Sequence, residues 1–298
     1  MNTLCSIGLI LAAAIWGFAF VIVKDSLSYI GAIWMIALRF SIAAILLILI
    51  CCPKLKKLHG SYWKHGFILG SLIFFAYAFQ TVGCDYTSAG KNAFLTAFYV
   101  ILVPLFGWPL KHKKPAWYVF VAAILFFIGI GFVALKEGDG SLLNMNIGDI
   151  LTLICSIFYA IHIIFIAKYD EREDPILLSA LQFFFTALWA WICSPFITNP
   201  AINRPLELTA LLQPGVMFSM LYLGLFSTLI AYLLQNVCFK YVPSALGSLL
   251  MSLESVFGVA FGILCLHEEL SARIIVGFAV IFAAILIAEL LPQLEKRQ

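Results

Sequence analysis

Runs of about 20 apolar residues recur from one end of the chain to the other, with short polar breaks between them, and this pattern leaves little choice of fold. At about 1.5 Å of rise per residue, each run as a helix is long enough to cross a hydrocarbon core of roughly 30 Å. Inside lipid, only a helix or a closed barrel satisfies its own backbone N–H and C=O groups. The runs lie at roughly 4–23, 30–51, 63–83, 92–110, 116–135, 148–167, 176–197, 216–239, 244–267 and 271–291. They predict an all-α integral membrane protein with ten transmembrane helices in the lipid bilayer. Composition agrees: 63% of the 298 residues are hydrophobic, 11% are charged and the mean hydropathy is +1.05. Too few charges remain for a water-facing surface.

The breaks carry turn and charge signals: CPKLKKLHGSYWKHG, KHKKP, KEGDGSLLNMN, KYDEREDP and TNPAINRPLELTALLQPG. In the longest of them, PLELTALLQ reads as a short interfacial helix. The first apolar run is longer than a signal-peptide core, no basic segment precedes it and no small-residue cleavage site follows, so it reads as a retained span. A net charge of +3, with no basic patch interleaved with aromatics, gives no case for nucleic acid.

Basic residues in alternate loops set orientation. With the N-terminus inside, Lys54, Lys56, Lys57, Lys64, Lys111, Lys113, Lys114, Lys168, Arg172, Lys240, Lys296 and Arg297 are cytoplasmic. Lys24, Lys91, Lys136, Arg204 and Arg273 are outside. Twelve against five predicts a multi-pass protein of the cytoplasmic (inner) membrane with both termini in the cytoplasm. Arg39 alone among the basic residues falls well inside a span, away from its ends. The eight cysteines have no CxxC spacing and read as small packing residues, and the five histidines lack metal-site spacing. No metal, and no cofactor, is expected.

The two halves resemble each other. Trp16-Gly17 aligns with Tyr159-Ala160 and Arg39 with Gln182, both at an offset of 143. YAFQ at 77–80 aligns with YLLQ at 232–235, Tyr86 with Tyr241 and His112 with His267, all at 155. An odd number of spans per half places the second half upside down relative to the first. Inverted repeats are characteristic of transporters, because exchanging the conformations of the halves turns an inward-open state into an outward-open one.

Ten spans as five plus five, an early WG, an Arg in the second span, SAGKNAFLTAFYVILVPLF at the fourth and SLESVFGVAFGILCLHEELS across the ninth resemble the drug/metabolite transporter superfamily, of the EamA type. The resemblance covers essentially the whole chain and divides it into repeats at 1–140 and 141–298. Where the ninth span of the family often has Pro after its Glu, this chain has Ser255, which removes an expected kink. The resemblance implies a central cavity lined by spans one, three, four, six, eight and nine, with the fifth and tenth more peripheral. It also implies substrates among amino acids, other metabolites and toxic organic compounds.

The residues themselves suggest candidates for that cavity. The stretch 244–267 carries one carboxylate, Glu254, near its middle, where insertion costs about 2.5–3.5 kcal/mol. Glu254 is therefore either a functional group, as a proton-coupling acceptor or counter-ion, or a structurally satisfied one. Trp16 and its repeat partner Tyr159 are candidate opposite walls, although large aromatics in apolar spans commonly just pack. Tyr77 and Gln80, like Tyr232 and Gln235, lie three apart and share a helix face. An amide in lipid needs a partner, so that face points into protein or cavity, as interhelical glue or as substrate contact. Gln80 toward the outer end and Gln235 toward the inner end would suit mirror-related gates, and Asn236 is adjacent. Tyr99 on the fourth span and His162, three residues beyond Tyr159, complete the candidate set. A lone His in an apolar helix is more often satisfied by a hydrogen bond than a pH relay. Arg39 reads as paired or snorkelling in preference to binding substrate. Lys91 and Asn92 sit at a helix start that offers donors to an anion, although Lys91 reads as a solvated end residue. Glu268-Glu269 reads as a solvated turn.

The sequence thus points to a secondary transporter moving a small organic solute outward by alternating access. No Walker-type phosphate loop is present, which argues against direct use of ATP. The competing classes are a membrane-embedded enzyme, which would need a catalytic cluster where only isolated groups are found, and a non-transporting receptor or subunit.

Overall fold

The computed structural model describes residues 2–111, 115–134, 145–169, 173–200, 202–239, 241–242 and 244–295, and every regular element among them is helical. The chain opens with α1 (Asn2–Ser26), α2 (Ala32–Ile50) and α3 (Gly60–Tyr86), with a 3-10 turn at Cys52–Lys57 before α3. It continues through α4 (Ala89–Thr96), α5 (Tyr99–Lys111), α6 (Trp117–Ala134), α7 (Ile147–Tyr169) and α8 (Pro175–Cys193). The short α9 (Leu208–Leu211) falls in the segment expected to form an interfacial helix. Then come α10 (Pro214–Leu221), a π segment (Tyr222–Ile230), α11 (Ala231–Cys238), α12 (Ser244–Leu266) and α13 (Ala272–Glu295).

Seven stretches are long and apolar enough to cross a membrane: Thr3–Ser26, Ala32–Ile50, Gly60–Tyr86, Ala89–Pro109, Ile147–Tyr169, Pro175–Cys193 and Pro214–Cys238. The spans expected at 116–135, 244–267 and 271–291 hold shorter apolar helices among the described residues, at Trp117–Val133, Leu250–Leu266 and Ala272–Ala288. Lys113, Lys114, Lys136, Arg172, Lys240, Lys296 and Arg297 of the orientation count, and His112 of the repeat, lie outside the described residues.

Two expected spans depart from a plain helix. The fourth begins at Ala89, three residues before the expected 92, because Ser88 caps it there: its Oγ accepts the Lys91 N–H at 3.2 Å. It then breaks at Ala97-Phe98, nearly two turns before Pro104, whose missing N–H leaves the Val100 carbonyl without its helical donor. The eighth carries the π segment, closed by an Ala231 N–H to Phe226 C=O bond. By contrast α12 runs unbroken through Ser255, whose Oγ donates to the Ala93 carbonyl of α4 at 3.4 Å.

Packing runs mainly between the first and second halves: α1 lies along α12, α2 along α8, α3 along α7 and α8, and α6 along α13. One core gathers Phe40, Ile73 and Phe183 from α2, α3 and α8; another gathers Leu95, Phe126 and Ile281 from α4, α6 and α13. The α1, α4 and α12 backbones touch because glycine permits it. A Cβ on Gly17 would sit 2.5 Å from the Phe257 Cβ, and one on Gly258 would sit 2.5 Å from the Ala93 Cβ.

Both ends of the bundle are tied by side chains that reach other elements. Lys24 Nζ donates to the Cys84 and Asp85 carbonyls at the end of α3, at 2.8 Å each. Nearby, His267 takes a positive φ of 53° and ends α12, after which Glu268 turns back to α4. Its Oε1 accepts the Ala89 N–H at 2.6 Å and its Oε2 the Gly90 N–H at 3.1 Å. Gly262 makes the seat, since a Cβ there would lie 2.7 Å from Oε2. Only Glu269 is a solvated turn residue; Glu268 supplies the anion for the α4 N-terminus, beside a half-buried Lys91. At the opposite end, Ser61 Oγ donates to Glu173 Oε1 at 2.7 Å, and His65 Nδ1 meets the same oxygen at 2.8 Å. Beside them Asp174 caps α8 and pairs with Lys54 at 2.8 Å. Burial pushes the Asp174 carboxyl up, but the Lys54 and Ile176 hydrogen bonds outweigh it and hold the group below the usual carboxylate range.

Candidate functional site

A cavity of about 670 Å³ lies between the helices, and all nine candidates line it: Trp16, Tyr77, Gln80, Tyr99, Tyr159, His162, Tyr232, Gln235 and Glu254. They come from α1, α3, α5, α7, α11 and α12, so neither half of the chain encloses the space alone. At one end the lining is buried, with Phe20, Val23, Cys84 and Asn92 closing it under the Lys24 and Glu268 ties. Toward the other end it includes exposed Ala167 and half-buried Pro175 and Phe239.

Two of the aromatic contacts follow the sequence offsets. Trp16 meets Tyr232 edge-on, with ring centroids 5.2 Å apart, and Tyr77 meets Tyr159 edge-on at 5.7 Å. Because Trp16 aligns with Tyr159 and Tyr77 with Tyr232, one contact is the counterpart of the other. Tyr99 leans on Tyr159 at 6.2 Å. The Trp16 indole N–H donates to the Ser227 carbonyl at 2.6 Å, and that carbonyl belongs to the π segment.

The amides sit in a polar web. Tyr159 OH donates to Gln80 Oε1 at 3.1 Å, and Gln80 Nε2 donates to Thr96 Oγ1 at 3.1 Å. Asn92, buried at the start of α4, donates to the Gln80 carbonyl and to Thr152 Oγ1, each at 3.0 Å. Asn236 donates to Ser179 Oγ at 3.3 Å. His162 lines the cavity, yet its Nε2 is tied to Gln182 Oε1 at 2.9 Å, as the structural reading of a lone His would have it.

The two formal charges that face this space among the described residues stand apart. Glu254 is half-buried, and no hydrogen bond or ion pair to its carboxylate is found among the described residues. Arg39 does not pair with it and does not snorkel. It is 3% exposed, with Nε donating to Thr228 Oγ1 at 3.1 Å and Nη2 to Ser227 Oγ at 3.0 Å. Its guanidinium carbon lies 4.7 Å from the centre of the Tyr77 ring, a cation–π contact. Pairing or snorkelling is thus replaced by hydroxyl and ring contacts.

Sequence reasoning passed over Ser227, Thr228, Thr96 and Asp149. Asp149 is fully buried near the start of α7, where Thr87 Oγ1 donates to its Oδ1 at 2.5 Å. An acid inside the sixth apolar run was a visible signal; hydroxyls in apolar runs were not, since their importance depends on a distant Arg. Chemically the arrangement can hold a solute between aromatic faces with polar groups at fixed points. No group of three or more His, Cys, Asp or Glu that could hold a metal occurs among the described residues.

The sequence pattern described as the EamA-like transporter family matches residues 3–135 and 146–290. An uncharacterized transporter of Archaeoglobus fulgidus is 32% identical over 285 residues, which cover 95% of this chain and 85% of that protein. The uncharacterized transporter YoaV of Bacillus subtilis is 24% identical over 290 residues, 94% of each chain. A crystal structure of a protein 15% identical superposes with a TM-score of 0.67, covering 98% of this chain and 99% of the other, which speaks to the fold alone.

Proposed function

We propose that this chain, which belongs to the EamA-like transporter family and is a multi-pass membrane transporter, exports a small organic metabolite, an amino acid or related compound, by alternating access. The observation that carries the reading is the cavity: it is lined from both halves, with a buried lining at one end and partly exposed lining at the other. A carrier needs a space of this kind, whereas a channel needs a continuous path.

In this reading ten helices form two five-helix repeats, 1–140 and 141–298, the second inverted. The helix contacts support it. The packing of α1 on α12 has its counterpart in α7 on α4 and α5; that of α3 on α7 has its counterpart in α11 and the π segment on α1. The contacts of α2 with α8 and of α6 with α13 are their own counterparts. Both termini face the cytoplasm, so the exposed end of the cavity is the cytoplasmic one, where an exporter loads. Glu254 is the candidate for proton coupling.

The test is uptake of labelled amino acids and organic cations by liposomes carrying the purified protein, with and without an imposed pH gradient. Saturable uptake of one class is expected. Unsaturable flux would indicate a channel, and no flux of any probe by folded protein would return weight to a receptor or subunit.

A further inference from the structure

Building on the transport reading just given, we propose that Arg39 is the carboxylate-binding group of the cavity, so that the solute carries an organic carboxylate and, opposite it, an ammonium group facing Glu254. Arg39 lies in the wall of the cavity, at the middle of α2, and no Asp or Glu oxygen comes within 4.0 Å of it among the described residues. Two of its five N–H donors are used, by the Thr228 and Ser227 hydroxyls. Those hydroxyls and the Tyr77 ring fix the plane of the guanidinium and leave its charge uncompensated. Nη1 has no protein acceptor among the described residues. A buried cation held flat with one edge unspent suits a planar, two-oxygen anion, which it can grip in a charge-assisted fork.

The charge balance of the lining selects the class. Among the described lining residues Arg39 is the one guanidinium and Glu254 the one carboxylate, and none is a Lys. His162 is engaged by Gln182. An organic cation would neutralise Glu254 and leave Arg39 bare. A phosphate dianion would exceed the single positive charge and meet Glu254 as a like charge. A zwitterion satisfies both groups at once, which is the least costly occupant of a largely aromatic and aliphatic cavity.

The experiment uses full-length protein in detergent and in liposomes. The probes are the common amino acids, each beside its amide, which keeps the ammonium and side chain but loses the carboxylate; inorganic phosphate is the second anion. Binding is read as a ligand-dependent rise in melting temperature, and transport as competition with labelled uptake. In the wild type at least one amino acid is expected to bind about tenfold more tightly than its amide, with phosphate ineffective. Arg39→Gln should bring that ratio close to one, and Arg39→Lys, which keeps the charge without the fork, should fall between. If Arg39→Gln fails to fold, the wild-type ratio and Arg39→Lys decide.

The proposal is overturned if no amino acid binds the wild type, if amides bind as well as acids, if phosphate competes as well as the acids, or if a folded Arg39 variant keeps the full ratio. Arg39-dependent binding of an amino acid without any flux would uphold the assignment and sink the transport reading instead.

Discussion

Trp16 and Tyr159, aligned in sequence at an offset of 143, are each held differently: the indole by a π-segment carbonyl, the phenol by Gln80. Trp16→Ala and Tyr159→Ala are therefore each expected to slow saturable transport by about tenfold, the equivalent of roughly 1.4 kcal/mol of binding, with expression unchanged. Normal transport in both variants would remove the shared-site idea. Glu254 has no protein group to satisfy it among the described residues, so Glu254→Gln should abolish pH-driven transport and, by removing the ammonium's partner, also weaken counterflow by about tenfold; an unaltered pH dependence would assign coupling elsewhere. At this scale the sequence was informative wherever a polar or aromatic side chain stood out against an apolar run, as with Gln80, Gln235 and Glu254. Arg39 stood out equally, but the kind of partner that holds it was not legible, because Ser227 and Thr228 lie far along the chain and their hydroxyls are ordinary in an apolar run.

Glu268 belongs to the scale of elements, since one carboxylate decides where α4 begins relative to α12. Removing it as Glu268→Ala leaves the Ala89 and Gly90 N–H groups without their acceptor, at a cost of about 0.5–2 kcal/mol, the range for a lost helix cap. A lower melting temperature and faster amide exchange over residues 89–92 are the expected results, and unchanged exchange there would show that the contact does not order the helix. Hydropathy placed well the seven runs that form membrane-length helices, because a span must be long and apolar whatever its neighbours. It placed neither the break at Ala97-Phe98 nor the π segment, since both change hydrogen bonding without changing composition. Glu268 was taken for a solvated residue because its turn is polar; only the fold brings it to a helix terminus that lies far away in sequence.

Across the whole molecule, the buried lining at one end and the exposed lining at the other make a directional forecast. In a background with exposed Cys52 and Cys265 replaced by Ser, Ala167→Cys should react with a membrane-impermeant thiol reagent added from the cytoplasmic side, while Val23→Cys stays protected. Labelling of Val23→Cys alone, or of Ala167→Cys only from outside, would reverse the orientation. The proposed pairing of halves rests on two constant offsets in sequence, since a repeat would leave matching residues wherever both copies face the same cavity. What those offsets hide is asymmetry, and the π segment is its main instance: it lies in the second half, while α3, its counterpart, is a plain α-helix.

That segment acts as a shift of phase. An α-helix turns about 100° per residue, and the extra residue held in a π turn rotates everything after it by about that angle. Tyr232 and Gln235 thus owe their direction to a count of residues upstream as much as to their own identity. A single deletion within 222–230 would swing them out of the cavity wall while leaving every hydropathy window unaltered, so indels offer such a helix a route to new specificity that side-chain substitution does not.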